Sequence, residues 1–103
     1  MKKIIDGKVY DTNTAIEVAK YWNGLGSNDF RNISESLYIT KKGNWFTAGH
    51  GGPMSKYAVS NGNMTSSGSN LEPISSVDAL QWLERHNEVE AIEQYFQFEI
   101  EEA

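Results

Sequence analysis

Ser36-Leu37-Tyr38-Ile39-Thr40-Lys41-Lys42-Gly43-Asn44-Trp45-Phe46-Thr47-Ala48 is the stretch on which the fold turns. Aromatic and β-branched runs flank a polar turn that carries glycine, which is the signature of a β-hairpin. Strand side chains alternate between faces, so Leu37 and Ile39 are assigned to one side, Tyr38 and Thr40 to the other. A hairpin cannot hide its apolar face alone, so further elements must cover it.

Upstream, Ile4-Ile5, Asp6-Gly7 and Lys8-Val9-Tyr10 read as a second, shorter hairpin, because Asp-Gly supplies the positive φ angles of a two-residue turn. Residues 13–23 are expected to form a helix. Thr14 and Glu17 fit a capping box, with Asp11 or Thr12 as the alternative caps. At 100° per residue Ala15, Ile16, Val18, Ala19 and Trp22 share a stripe, with Glu17, Lys20 and Tyr21 opposite, and Gly24 and Gly26 end it. Residues 28–33 read as a loop or a short turn anchored by Phe30.

Downstream, Gly49 through Pro53 is expected to break the second strand of the central hairpin. Residues 54–59 fit either a further strand or one helical turn. The Ser/Asn/Gly-rich run 61–70 is expected to be a flexible loop, and residues 71–74 to add a strand. Ser75, with Asp78 three residues on, starts a helix whose inner face is Ala79, Leu80, Trp82, Leu83 and His86. Asn87 ends it, and a last helix over 88–97 turns Val89, Ile92, Tyr95 and Phe96 inward. Glu90, Glu93, Gln94 and Gln97 are left outward. The expected fold is therefore α+β: an antiparallel sheet of three to five strands packed against one N-terminal helix and a C-terminal helix pair. Residues 1–103 form a single domain with an acidic tail from about residue 98.

Charge is divided unevenly along the chain. Residues 72–103 hold nine carboxylates against Arg85 alone, about −8, while residues 1–71 carry about +3, within a net charge of −5. Such segregation bears on partners, not on the fold. Charge disfavours grip on a phosphate backbone by the acidic third and is compatible with a protein-binding face there. A hydrophobic fraction of 39% with three Trp, five Tyr and four Phe is enough for one modest core, so disorder is not expected. No cysteine is present, which excludes disulfides and thiolate metal sites, and the two histidines, His50 and His86, do not make an imidazole-rich metal site. No cofactor or metal is expected. Met1-Lys2-Lys3-Ile4-Ile5 opens like a secretory leader, but Asp6-Gly7-Lys8 interrupts it before an apolar segment forms. The expected location is the cytoplasm of a bacterial host cell, without membrane contact.

Three sets of residues bear on function. Gly49-His50-Gly51-Gly52 invites comparison with an esterase oxyanion loop, but the Gly-x-Ser-x-Gly nucleophile elbow is missing, and a glycine turn ending a strand is the simpler reading. His86, on an apolar stripe near a helix C-terminus, is read as structural, with the helix dipole favouring its protonation. Lys41 and Lys42 beside Trp45, Phe46 and Tyr38 have the composition of a minimal nucleic-acid platform, cations next to stacking rings.

The central stretch, continued by Gly49-His50-Gly51-Gly52-Pro53-Met54-Ser55-Lys56-Tyr57, is the most distinctive part of the sequence. Together with Lys3-Ile4-Ile5-Asp6-Gly7-Lys8-Val9-Tyr10-Asp11-Thr12 and Ala79-Leu80-Gln81-Trp82-Leu83-Glu84, it resembles a family of small acidic proteins of Firmicutes phages and conjugative elements. His50 stands where many relatives are expected to carry an acidic residue. Small acidic proteins of such elements are often similar to anti-CRISPR inhibitors, some of which imitate DNA. The resemblance implies a non-enzymatic inhibitor that binds a CRISPR-Cas effector nuclease with a basic groove, without direct nucleic-acid binding. Glu88, Glu90, Glu93 and Glu99 would then pair with Arg and Lys of the target, and Lys41, Trp45 and His50 would form a secondary contact surface. The alternative is a nucleic-acid-binding accessory protein using the hairpin of residues 41–46.

Overall fold

The computed structural model describes residues 1–103. Its strands are β1 (Lys2–Ile5), β2 (Lys8–Asp11), β3 (Ile16–Trp22), β4 (Ile33–Ile39), β5 (Trp45–Gly51), β6 (Val59–Asn61), β7 (Met64–Ser66) and β8 (Gly68–Ile74). Helices α1 (Ser76–Arg85) and α2 (Val89–Tyr95) follow, and a 3-10 turn spans Gln97–Glu99. No helix is long and apolar enough to cross a membrane.

The expected central hairpin is β4 and β5, paired antiparallel from Ile33↔Gly51 to Ile39↔Trp45. β3 and β8 flank it, giving a four-stranded antiparallel sheet in the order β3-β4-β5-β8. Pro73 lies on the edge strand β8, where its missing N–H interrupts no ladder. Register sorts the side chains by face. Ala19↔Leu37↔Thr47 and Ile39↔Trp45↔Ile74 share one side; Ser36↔Ala48↔Leu71 and Tyr38↔Phe46↔Pro73 share the other.

Each face has its own cover. α1 and α2 bring Ala79, Trp82, Leu83, Ala91 and Phe96 onto Ala19, Leu37 and Trp45. Trp45 stacks on Phe96 at 5.3 Å and meets Tyr95 edge-on at 5.5 Å. On the opposite face the β1–β2 hairpin lays Tyr10 against Phe46, Ala48 and Leu71. The molecule is thus α+β in three layers: helices, sheet, hairpin. It is also thin, 48 × 35 × 19 Å, with a radius of gyration of 15.0 Å against roughly 13 Å for a compact chain of this length. β6 and β7, exposed at every residue, pair only with each other.

The N-terminal helix expected over residues 13–23 is absent. That segment is the edge strand β3, preceded by a turn in which Asp11 Oδ1 accepts from the Asn13 amide and the Asp11 carbonyl from Thr14 and Ala15. The cause is a bulge between Glu17 and Ala19. One inserted residue, Val18, breaks strict alternation, so Ile16 and Ala19 share a face at a spacing of three and imitate a helical stripe, while Trp22 falls on the other face. Two further expectations are corrected. β5 runs through Gly49 to Gly51 instead of ending before it, and residues 61–70 are the β6–β7 hairpin and the start of β8 instead of a loop.

The helix start was legible. Ser75 Oγ accepts from the Asp78 amide at 3.1 Å, as a capping serine does, and Asp78 sits in the first turn where the helix dipole favours it. Asn87 takes a positive φ of 54° and separates α1 from α2.

Candidate functional site

The acidic third folds into the end of β8, α1, α2, the 3-10 turn and a tail, and most of its carboxylates are displayed to solvent. Glu88 is the N-cap residue of α2 and half-buried; Glu90, Glu93 and Glu99 are exposed. Glu90 and Glu93 are one turn apart, as their spacing requires. Between α2 and the tail lies a cleft of about 450 Å³ lined by Val89, Ile92, Glu93, Ile100, Glu101 and Glu102. Three of the six are aliphatic and three are acidic. Phe98, two residues before Ile100, is 93% exposed.

This apolar component was not foreseen. Val89 was expected to face inward, yet it is 52% exposed, and Ala91 is the buried residue of the helix. With Ala91, Ile92, Tyr95 and Phe96 at the centre of the inner arc, Val89 falls at its margin beside Glu93. A valine at that margin is what gives the acidic face part of its aliphatic lining.

The three secondary contact residues are not brought together. Lys41 is exposed in the β4–β5 turn. Trp45 is 7% exposed and belongs to the helix-side core, which corrects its assignment to a contact surface. His50 is exposed, but it lies five residues along β5 from Trp45, about 16 Å away at strand rise. Phe46 is also buried, and Tyr38 stacks on it at 5.1 Å. Two of the three rings beside the lysine pair, Trp45 and Phe46, are therefore committed to the core, and Tyr38 is half-buried with one face against Phe46.

Gly49-His50-Gly51-Gly52 serves as a packing seam. A Cβ at Gly49 would stand 2.5 Å from the Ser34 carbonyl oxygen and 2.6 Å from the Tyr57 hydroxyl. The absence of a side chain lets residues 52–58 lie on the sheet. Beneath them is a group that sequence reasoning passed over: Glu35, 5% exposed, bonded to Lys56 Nζ at 2.8 Å. Burial first, then the Glu35 carboxylate, pushes the Tyr57 hydroxyl well above its ordinary pKa. Glu35 sits on the helix-side face opposite Gly49 and Tyr21, where its charge is offset by an ammonium from the overlying loop. The pair acts as a latch. Lys56→Ala should lower stability by about 1.5 kcal/mol, because a buried carboxylate loses its charged partner. Glu35→Gln with Lys56→Met, which removes both charges, should lie closer to the wild type in urea denaturation. A double variant weaker than the single one would exclude the latch.

His86 is structural, but its charge tendency is the reverse of the sequence expectation. It caps α1, stacks on Tyr21 at 4.0 Å and meets Trp82 edge-on at 4.4 Å. Desolvation first, then the Arg85 charge, lowers its pKa. No group of three or more His, Asp and Glu side chains is placed to hold a metal ion. No protein-family model matches the chain, and neither a curated protein nor a solved structure matches it.

Proposed function

We propose that this protein is a non-enzymatic protein-binding inhibitor whose contact surface is the acidic face of α2 and the tail. The observation that carries the reading is the cleft lined by Val89, Ile92 and Ile100 together with Glu93, Glu101 and Glu102, with Phe98 fully displayed nearby in the chain. Carboxylates alone describe any solvated helix. Carboxylates around exposed aliphatic and aromatic groups describe a surface that gains by excluding water against a partner of basic and apolar character. The target class comes from the resemblance to small acidic proteins of mobile elements: a host nucleic-acid-handling defence complex, with a CRISPR-Cas effector nuclease as the leading candidate. In that setting the carboxylate row imitates a phosphate backbone, and the apolar groups supply an anchor that DNA lacks.

The test begins with capture from a bacterial host on the immobilised protein, scored for an effector nuclease. Binding of that effector is then measured with the Glu90→Lys/Glu93→Lys variant at low and moderate salt. Reversal of two exposed charges should slow association about tenfold at low salt, less at moderate salt, with no change in melting temperature. Undiminished inhibition by the double variant would remove α2 from the mechanism.

A further inference from the structure

Three of the chain's unpaired cations, Lys8, Lys41 and Lys42, meet in one place, far in sequence from the acidic face. Between the tips of the β1–β2 and β4–β5 hairpins lies a cleft of about 420 Å³, lined by Gly7, Lys8, Val9, Thr14, Ala15, Thr40, Lys41, Lys42 and Asn44. Three of its nine lining residues are lysines and none is acidic, in a chain whose net charge is −5. None of the three lysines has an ion-pair partner. The two ion pairs of the molecule, Arg31–Asp29 and Lys56–Glu35, are elsewhere. Like charges gathered without a counter-charge repel one another, and a bound anion would relieve that repulsion.

The lysines stand on fixed supports. In the β4–β5 turn the Thr40 amide donates to the Asn44 carbonyl at 2.8 Å, the Gly43 amide to the Thr40 carbonyl at 2.9 Å, and the Asn44 amide to Thr40 Oγ1 at 3.0 Å. Gly43 holds the turn at a φ of +88°, a conformation that side-chain-bearing residues rarely adopt. Thr40 Oγ1 accepts in that arrangement, which leaves its O–H to donate into the cleft. Lys8 follows the Asp6-Gly7 turn directly and is carried to the cleft by the packing of Tyr10 on Phe46, ring centroids 5.6 Å apart. Two hairpins that are remote in sequence thus meet to form one cationic cleft.

We infer that this cleft binds a compact, multiply charged phosphate compound. Lysine ammonium groups and hydroxyl donors are the groups that recognise phosphate oxygens. The volume suits a small ligand. Only Val9 and Ala15 are apolar, so no surface is present on which a base would stack, and the phosphate itself is the recognised part. A long polyanion is disfavoured, because its ends would run out over a molecule of opposite preference. The site is independent of the acidic face and does not depend on the inhibitor reading.

The test is a two-dimensional amide NMR titration of the full chain with sodium pyrophosphate, ADP and a ten-residue thymidine oligonucleotide, at low salt and at 0.15 M salt. Saturable shifts confined to Gly7–Val9, Thr14–Ala15 and Thr40–Asn44, with similar affinity for pyrophosphate and ADP, are expected. The Lys8→Ala/Lys41→Ala/Lys42→Ala variant should bind at least about tenfold more weakly. Its amide spectrum elsewhere should be unchanged, since the three side chains are exposed. Tighter binding of the oligonucleotide would overturn the proposal. So would shifts of equal size at Lys2, Lys20 and Lys56, or loss of all shifts at 0.15 M salt.

Discussion

Phe46→Ala should cost about 3–5 kcal/mol and leave the domain barely folded. Phe46 is 0% exposed and lies on the hairpin-side face of β5, between Tyr38 of β4 and Pro73 of β8. Its ring stacks on Tyr38 and receives the edge of Tyr10, so it belongs at once to the sheet and to the layer above it. Few other groups can compensate. Only 19 of 103 residues are buried, and the hairpin-side cluster consists of Tyr10, Phe46, Ala48 and Leu71. Removing the phenyl ring from a cluster of four leaves a cavity that the short β1–β2 hairpin cannot fill by collapsing. Domains of this size have roughly 5–15 kcal/mol in total, so the fall in melting temperature should be on the order of 15 °C or more. Val89→Ala, on an exposed margin, serves as the control and should stay within about 0.5 kcal/mol. A loss below about 1 kcal/mol in Phe46→Ala, read by urea denaturation, would mean that the hairpin layer is held by something other than this cluster. The same variant should also weaken anion binding at the cleft, because that packing helps to hold the Lys8 hairpin on the sheet.

How much of this was written in the chain depends on whether a residue's neighbours are local. The β4–β5 hairpin and the Ser75 cap were legible because turn chemistry and capping act over three or four residues. Gly62-Asn63 was equally local, and its two-residue turn signal was masked by the Ser/Asn composition around it. β3 was misread for a different reason: the bulge at Val18 gave a strand the spacing of a helix, and only pairing with β4 distinguishes the two. Glu35 lay beyond local reasoning altogether. A glutamate in a strand reads as solvent-facing until a lysine twenty-one residues later is seen to cover it. At the candidate site the carboxylates were legible as a charge run. The aliphatic lining was not, since it depends on where α2 begins and on how the tail returns beside it.

Phe98→Ala should weaken partner binding about thirtyfold without lowering stability. An exposed aromatic contributes nothing to its own fold, and Phe98 is 93% exposed. Aromatic residues that become enclosed in an interface are where truncation typically costs about 2 kcal/mol, which corresponds to that change in affinity. The loss should appear in the dissociation rate, because the ring acts only after the surfaces have met. Here it separates from the effect of Glu90 and Glu93, whose reversal should act on association and fade with salt. An apolar anchor has no reason to respond to ionic strength over the same range, so the Phe98→Ala deficit should be equal at low and moderate salt. Both rate constants can be read in one surface-binding experiment on the captured effector. A normal dissociation rate for Phe98→Ala, with association still impaired in Glu90→Lys/Glu93→Lys, would reduce the site to its charges alone. Normal rates in both variants would place the contact surface outside α2 and the tail.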